Sequence, residues 1–253
     1  MTDPLKTNHH ADHAGFSGVS GLLAIVGMVV LGRGYARLVV ELAAVSDADR
    51  VADIGCGPGG AVRAAARRGA TVTGIDPAPV MLRLAAAVTK DQPRITWSQG
   101  TAEALPLPDG WASVAWSLRT VHHWKDVTAG LAEVRRVLAP SGRFLAVERC
   151  VRSGATGLAS HGWTEQQAES FAAQCQEAGL DGVRIRAASP GPGSRVGRPR
   201  EPGVSVRGSA APGRARPARG TRSSRAVRPP TRTLPATRHG SEPLPQRVSP
   251  SIR

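Results

Sequence analysis

Three glycines, Gly55, Gly57 and Gly59, punctuate the run VADIGCGPGG at 51–60, with Asp53 two residues before the first and Asp76 closing the run TVTGID. Alternate glycines strip Cβ atoms from a tight turn, so its backbone can adopt positive φ and approach a ligand closely. A carboxylate beside that turn repels a diphosphate and attracts an ammonium group. Pro58 stiffens the turn and withholds one N–H that a phosphate cradle would use. The residue types therefore suit a ligand with a cationic amino-acid end. Spacing alone leaves a rival, because Gly55, Gly57 and Gly60 also satisfy G-x-G-x-x-G and Asp76 stands where a ribose-binding acid of a dinucleotide enzyme would stand. Asp53 and Pro58 count against that nicotinamide-dependent oxidoreductase.

The elements that must position these residues are legible in the apolar periodicity. Helices are expected over 35–44 and 60–68, the second closed by Gly69, with strands at 50–54 and 71–75. Pro79 opens a further helix whose apolar series is Val80, Leu84 and Val88, and a strand follows at 95–98. After a proline-rich, Asp-Gly turn, 111–116 reads as a strand, and Val127, Leu131, Val134 and Leu138 give the next helix one apolar stripe. Pro140-Ser141-Gly142 ends it, 144–148 is a buried strand, and Thr164 with Gln167 forms a capping box for a helix with the stripe Ala168, Phe171, Cys175 and Ala178. Strands alternating with helices imply an α/β fold, Rossmann-like and doubly wound, with a mostly parallel sheet and helices on both faces.

The blocks VADIGCGPGG, GIDPAPVMLRLA, QGTAEALPLPDG and VHHWKDVTAGLAEVRRVLAPSGRFLAVE, in that order and spacing over 35–188, resemble a class I S-adenosylmethionine-dependent methyltransferase of the branch acting on small molecules (type 11-like). The resemblance implies S-adenosyl-L-methionine as cofactor and methyl transfer (EC 2.1.1.-) to a small-molecule oxygen, nitrogen or carbon acceptor. It implies that Gly55, Gly57 and Gly59 line the methionine and ribose portion and that Asp53 orients the ammonium end directly or through water. Asp76 would accept the ribose hydroxyls, although an N-cap of the following helix is its alternative. Thr101 stands where the family usually has the Asp that receives the adenine amino group, with Ala102 beside it. Glu103 is either a substitute for that acid or part of a solvated loop. Ser117 is placed beside the methionine end.

His122 and His123 follow at the pocket mouth, as candidate proton acceptors or as packing residues. Glu148 reaches the substrate or pairs with Arg149 or Arg152. Methyl transfer from a sulfonium requires alignment and exclusion of water more than acid–base groups. No metal is expected, since His9, His10 and His13 lack a partner carboxylate or cysteine spacing. The family's sheet has seven strands, the last antiparallel and inserted between the fifth and sixth. Here, after the strand-like 182–188, that strand is expected to be missing or disrupted, and GVSVRG at 203–208 is the sole candidate.

Composition divides the chain into a cap or lid segment at 1–34, a methyltransferase domain at 35–189 and a tail at 190–253. The tail carries 14 Arg, no Lys and 2 Glu, which is +12 of the formal +14, and 12 of the 20 prolines, so the folded part is nearly neutral. Without aromatic residues and with few large aliphatics, the tail cannot offset its chain entropy and is expected to be disordered. It reads as an arginine-rich arm for nucleic acid or anionic membrane, as a segment with no specific role, or as a frameshift product. A protein acting through that arm without catalysis is the alternative from another functional class. Three cysteines without C-x-x-C spacing indicate neither disulfides nor zinc and fit the cytoplasm. The apolar run at 19–31 falls short of the roughly 20 residues of a membrane span, so no transmembrane segment is expected.

Overall fold

Strand β1 (Arg50–Ile54) is buried over its last four residues, and the parallel strands β2 (Thr71–Asp76) and β4 (Ala112–Leu118) flank it. Burial on both faces is why these strands read as nearly continuous apolar runs. In the computed structural model, residues 6–11, 33–89, 92–188 and 203–210 are described. Strands β3 (Ile95–Gln99), β5 (Leu138–Arg149), β6 (Leu180–Ala188) and β7 (Gly203–Ala210) complete one sheet of order β3-β2-β1-β4-β5-β7-β6. The first five strands pair in parallel, and β7 runs antiparallel to both β5 and β6.

The seventh strand corrects the expectation of a missing or disrupted edge. Gly203–Ala210 pairs with β5 from Arg143 to Arg149 and with β6 from Leu180 to Ala188, and Val206 is fully buried. Its sequence, GVSVRGSA, has only two large apolar side chains, so alternation alone is a weak signal. What stabilises it is its central position between two partners. The sheet consequently extends past residue 189, where the domain boundary was expected.

Helices α1 (Arg33–Leu42) and α2 (Gly60–Ala66) cover one face with Val39, Val62, Val72, Val114 and Trp116. On the other face, α4 (Val127–Val137) and α5 (Glu165–Glu177) bury Leu131, Val134, Phe144, Trp163 and Phe171. Each such side chain contributes about 1.5–3 kcal/mol of burial. The capping box forms, with Gln167 N–H donating to Thr164 Oγ1 at 3.2 Å and Thr164 N–H donating to Gln167 Oε1 at 2.9 Å. Gly69 and Gly179 follow the ends of α2 and α5 with φ of 90° and 79°, the left-handed stop that favours glycine.

Helix α3 (Pro79–Ala87) differs from its sequence reading: Val80 and Val88 are exposed, and Met81 and Ala85 are the buried face. The turn at Asp76, whose Oδ1 accepts the Ala78 N–H at 2.9 Å, fixes where the helix starts and thus which residues face the sheet. The run at 19–31 lies outside the described residues, as does the tail apart from 203–210. Among the described residues, no helix is long and apolar enough to cross a membrane.

Candidate active site

The glycine turn leaves the carboxyl end of β1 and is pinned to β2, because Gly55 and Cys56 N–H both donate to Ile75 O, at 2.8 and 2.9 Å. Gly55, Gly57 and Gly59 have φ of 76°, 50° and 75°. Two of them are also fixed by close approach. A Cβ on Gly55 would stand 2.6 Å from Thr120 Oγ1, and one on Gly59 would stand 2.2 Å from the Trp97 ring. Neither Trp97 nor Thr120 is visible from the local motif, since Trp97 reaches the turn from β3 and Thr120 from the loop after β4.

Asp53 faces the α1/α2 side of the sheet opposite Trp116, its register partner on β4, and is 1% exposed. Among the described residues, both its carboxylate oxygens and Trp116 Nε1 lack a hydrogen-bond partner. Burial pushes the Asp53 pKa up to about 7; the facing Trp116 indole offsets part of that rise, and the charge of Asp76 adds to it. A buried carboxylate left with two unused oxygens is costly unless a ligand or water supplies donors.

Asp76 ends β2 on the other side of the turn, with Oδ2 accepting the Gly57 N–H at 2.8 Å. Its other oxygen accepts the N–H of Ala78, itself the N-cap of α3, so Asp76 makes a turn before the helix and is not its N-cap. Burial raises its pKa and those two N–H bonds oppose the rise. Each carboxylate oxygen can accept a second bond, so anchoring the loop leaves capacity for a ligand's hydroxyls.

Thr101 is half-buried in an isolated bridge with Ala104, and Ala102 is buried against Gly130 of α4. Glu103 is anchored rather than free in a solvated loop: its Oε1 accepts the N–H groups of Lys125 and Asp126, at 2.8 and 3.1 Å, just before α4. Ser117 is fully buried, and its hydroxyl lies 2.5 Å from Thr120 Oγ1, which donates to Ile54 O at 2.9 Å. Thr120 therefore stands over the first glycine, with Ser117 as its support.

Beyond Thr120, a 3-10 turn (Val121–His123) carries the two histidines. Glu148, fully buried on β5, accepts the Val121 N–H with Oε1 and the His122 Nδ1–H with Oε2, each at 3.0 Å. It pairs inward, with neither Arg149 nor Arg152. His123 has its pKa lowered to about 4, chiefly by burial and then by His122 beside it. His9 and His10 arrive from the amino-terminal segment, and His161 from the loop after β5, to pack against these rings. Sequence spacing shows no carboxylate or cysteine partner near the amino-terminal histidines, and the groups that His9 and His10 meet lie more than a hundred positions away.

Residues 52–146 match the methyltransferase domain family. A demethylmenaquinone methyltransferase of Tropheryma whipplei is 32% identical over 114 residues, 45% of this chain and 47% of the relative. The uncharacterized methyltransferase YcgJ of Bacillus subtilis is 33% identical over 113 residues, 44% of this chain and 45% of that protein. The chain thus matches less than half the length of these curated relatives. The crystal structure of YcgJ superposes with a TM-score of 0.55 at 18% identity, covering 71% of this chain and 99% of that one. A methyltransferase structure from Aquifex aeolicus gives 0.59 at 16% identity, covering 75% and 98%. These two structures share the fold. The glycine turn, the strand order and the sequence matches together make residues 52–146 similar to the methyltransferase domain of class I S-adenosylmethionine-dependent methyltransferases.

Proposed function

We propose that this chain transfers the methyl group of S-adenosylmethionine to an oxygen, nitrogen or carbon nucleophile of a small molecule. The observation that carries the reading is Asp53, a buried carboxylate with two oxygens unpartnered among the described residues, beside a turn where Gly55 and Gly59 leave no room for a Cβ. Such a site fits a ligand that brings N–H donors and positive charge. Two neighbouring carboxylates oppose a diphosphate, which disfavours the nicotinamide reading.

In this scheme Asp53 orients the amino-acid end, Gly55 to Gly59 give backbone access, and Asp76 takes the ribose hydroxyls while holding the Gly57 N–H. Ala102 and Thr101 border the adenine, where threonine offers an acceptor without charge assistance. Ser117 keeps Thr120 over the turn and so shapes the methionine end. Bound there, the cofactor supplies a sulfonium-activated methyl group and leaves as S-adenosylhomocysteine. The protein's task is in-line alignment and exclusion of water, and no general base is required of His122 or His123.

Calorimetry with S-adenosylhomocysteine, NAD and a short RNA tests the binding reading. Saturable binding of the first, weakened at least tenfold by Asp76→Ala, is expected; that loss exceeds the roughly 1 kcal/mol of a missing helix cap. Retention of NAD with indifference to S-adenosylhomocysteine would overturn it. Methyl-label transfer to a metabolite extract, supplemented with demethylmenaquinone because one relative is named for that compound, identifies the nucleophile.

A further inference from the structure

Among the described residues, five histidines converge at one place, from three segments far apart in sequence. His122 and His123 lie 4.2 Å apart by ring centroid, His10 stacks on His161 at 4.2 Å, and His9 lies 4.5 Å from His10. One carboxylate, Glu148, bonds into the group. Three of the rings, His122, His123 and His161, each present a nitrogen within 4.8 Å of the other two.

We propose that His122, His123 and His161 form a binding site for a divalent transition-metal ion of the zinc class. The hydrogen bonds fix two of the three ligands. Glu148, an acceptor, takes the His122 Nδ1–H, and His10 O, also an acceptor, faces His123 Nδ1 at 3.4 Å. In both rings the proton belongs on Nδ1, which leaves the Nε2 lone pair for a metal. A carboxylate or carbonyl on the far nitrogen is the usual outer support of a metal-bound imidazole. The His161 loop is held separately, since Arg149 Nε donates to His161 O at 2.9 Å and Arg149 Nη2 to Ala159 O at 2.7 Å.

The amino-terminal segment closes the site from outside. His10 N–H donates to His122 O at 2.9 Å, Trp163 Nε1 donates to Thr7 O at 2.9 Å, and Asn8 Nδ2 donates to Trp124 O at 3.0 Å. His9 is committed to that clamp, donating from Nε2 to Ser160 O at 3.0 Å and accepting from Gln167 at its other nitrogen. With Zn–N bonds of about 2.0–2.1 Å, tetrahedral nitrogens stand about 3.3 Å apart, so ring rotations of about an ångström close the set. An all-imidazole set selects zinc-like metals over magnesium or calcium. Three protein ligands leave a coordination position open, as in catalytic rather than structural zinc sites. The site adjoins Thr120 and hence the glycine turn, but ion binding is independent of the methyl-transfer reading.

The test uses the full chain, stripped with chelator and titrated with zinc chloride by calorimetry. One equivalent is expected per chain. His161→Ala and His123→Ala should each weaken binding at least a hundredfold, and Glu148→Gln, which repositions His122, about ten- to a hundredfold. His239→Ala is the control and should change nothing. X-ray absorption of the zinc-loaded wild-type chain reads the ligands without any variant, and imidazole scattering is expected. No saturable binding, stoichiometric binding that His161→Ala leaves unchanged, or thiolate or carboxylate ligands in place of imidazole would overturn the proposal. Calorimetry of the same samples with S-adenosylhomocysteine reports separately on the cofactor site and on whether each variant is folded.

Discussion

Asp53 is the residue at which stability and binding oppose each other. With its pKa raised to about 7 from 3.8, the native state keeps a proton that the unfolded chain has released throughout that interval. Stability of the ligand-free protein therefore falls as pH rises from about 4 to about 7 and is level above, a total on the order of 4 kcal/mol. Ligand binding runs the other way, since an ammonium group requires the ionised carboxylate, and should tighten up to tenfold per pH unit below about 7. Asp53→Asn should raise the ligand-free melting temperature at pH 8, leave it nearly unchanged at pH 4, and make S-adenosylhomocysteine binding weaker and nearly independent of pH. Melting curves and titrations across that interval check both halves; a wild-type stability that stays level across it would remove the basis of the argument. Asp53, Asp76 and the three glycines were legible because they lie within one strand–turn–helix–strand unit. Trp97, Thr120 and the histidine convergence were not, because their meaning lies in contacts between distant segments.

At the scale of elements, the end of the sheet opposite the site is held by a charged clasp. Arg143 of β5 donates to Asp49 through Nη1 and Nη2, at 3.2 and 2.9 Å, and through Nε to Ala43 O at 2.6 Å. Asp49 also accepts the Ser46 N–H and the Ser113 hydroxyl, at 2.9 and 2.7 Å. Burial works against its ionisation, but Arg143 and those bonds outweigh it and hold the pKa at about 2. A depressed acid stabilises the fold above pH 3.8 and loses that contribution as pH falls towards 2. Arg143→Met leaves the carboxylate without its counter-ion and should cost about 2–3 kcal/mol, below the full buried-pair value because both groups retain some exposure. Because β1 separates the clasp from the glycine turn, affinity for S-adenosylhomocysteine should change less than twofold in the folded variant. Denaturant titration and calorimetry separate the two effects. Most elements were legible from period and caps, down to the Thr164 capping box. The face of α3 was not, because the turn at Asp76 rather than apolar spacing sets its rotation.

For the whole molecule, the question is where the cooperative fold ends, and the order of the sheet decides it. β7 lies between β5 and β6, so among the described residues it is the sole strand neighbour of β6, and it covers the outer edge of β5. Val206 and Ala210 are buried, and the hydrogen bonds of β7 serve both neighbours. A chain ending at residue 189, where composition alone would cut, loses those ladders and exposes β5, a buried strand, as an open edge. The expected outcome is an aggregating protein without a cooperative melting transition. A chain ending at residue 214, the limit of the compact unit, keeps the whole sheet. It should melt cooperatively and bind S-adenosylhomocysteine within about twofold of the full chain, because the described part of the site draws nothing from beyond β5 except the His161 loop and α5. It also sheds much of the arginine charge, so RNA binding that survives this truncation could not belong to residues 215–253. Light scattering, melting curves and calorimetry on the two truncated chains decide the matter: a soluble, ligand-binding chain ending at residue 189 would mean that β7 is dispensable and that the sheet's far edge contributes nothing to the fold.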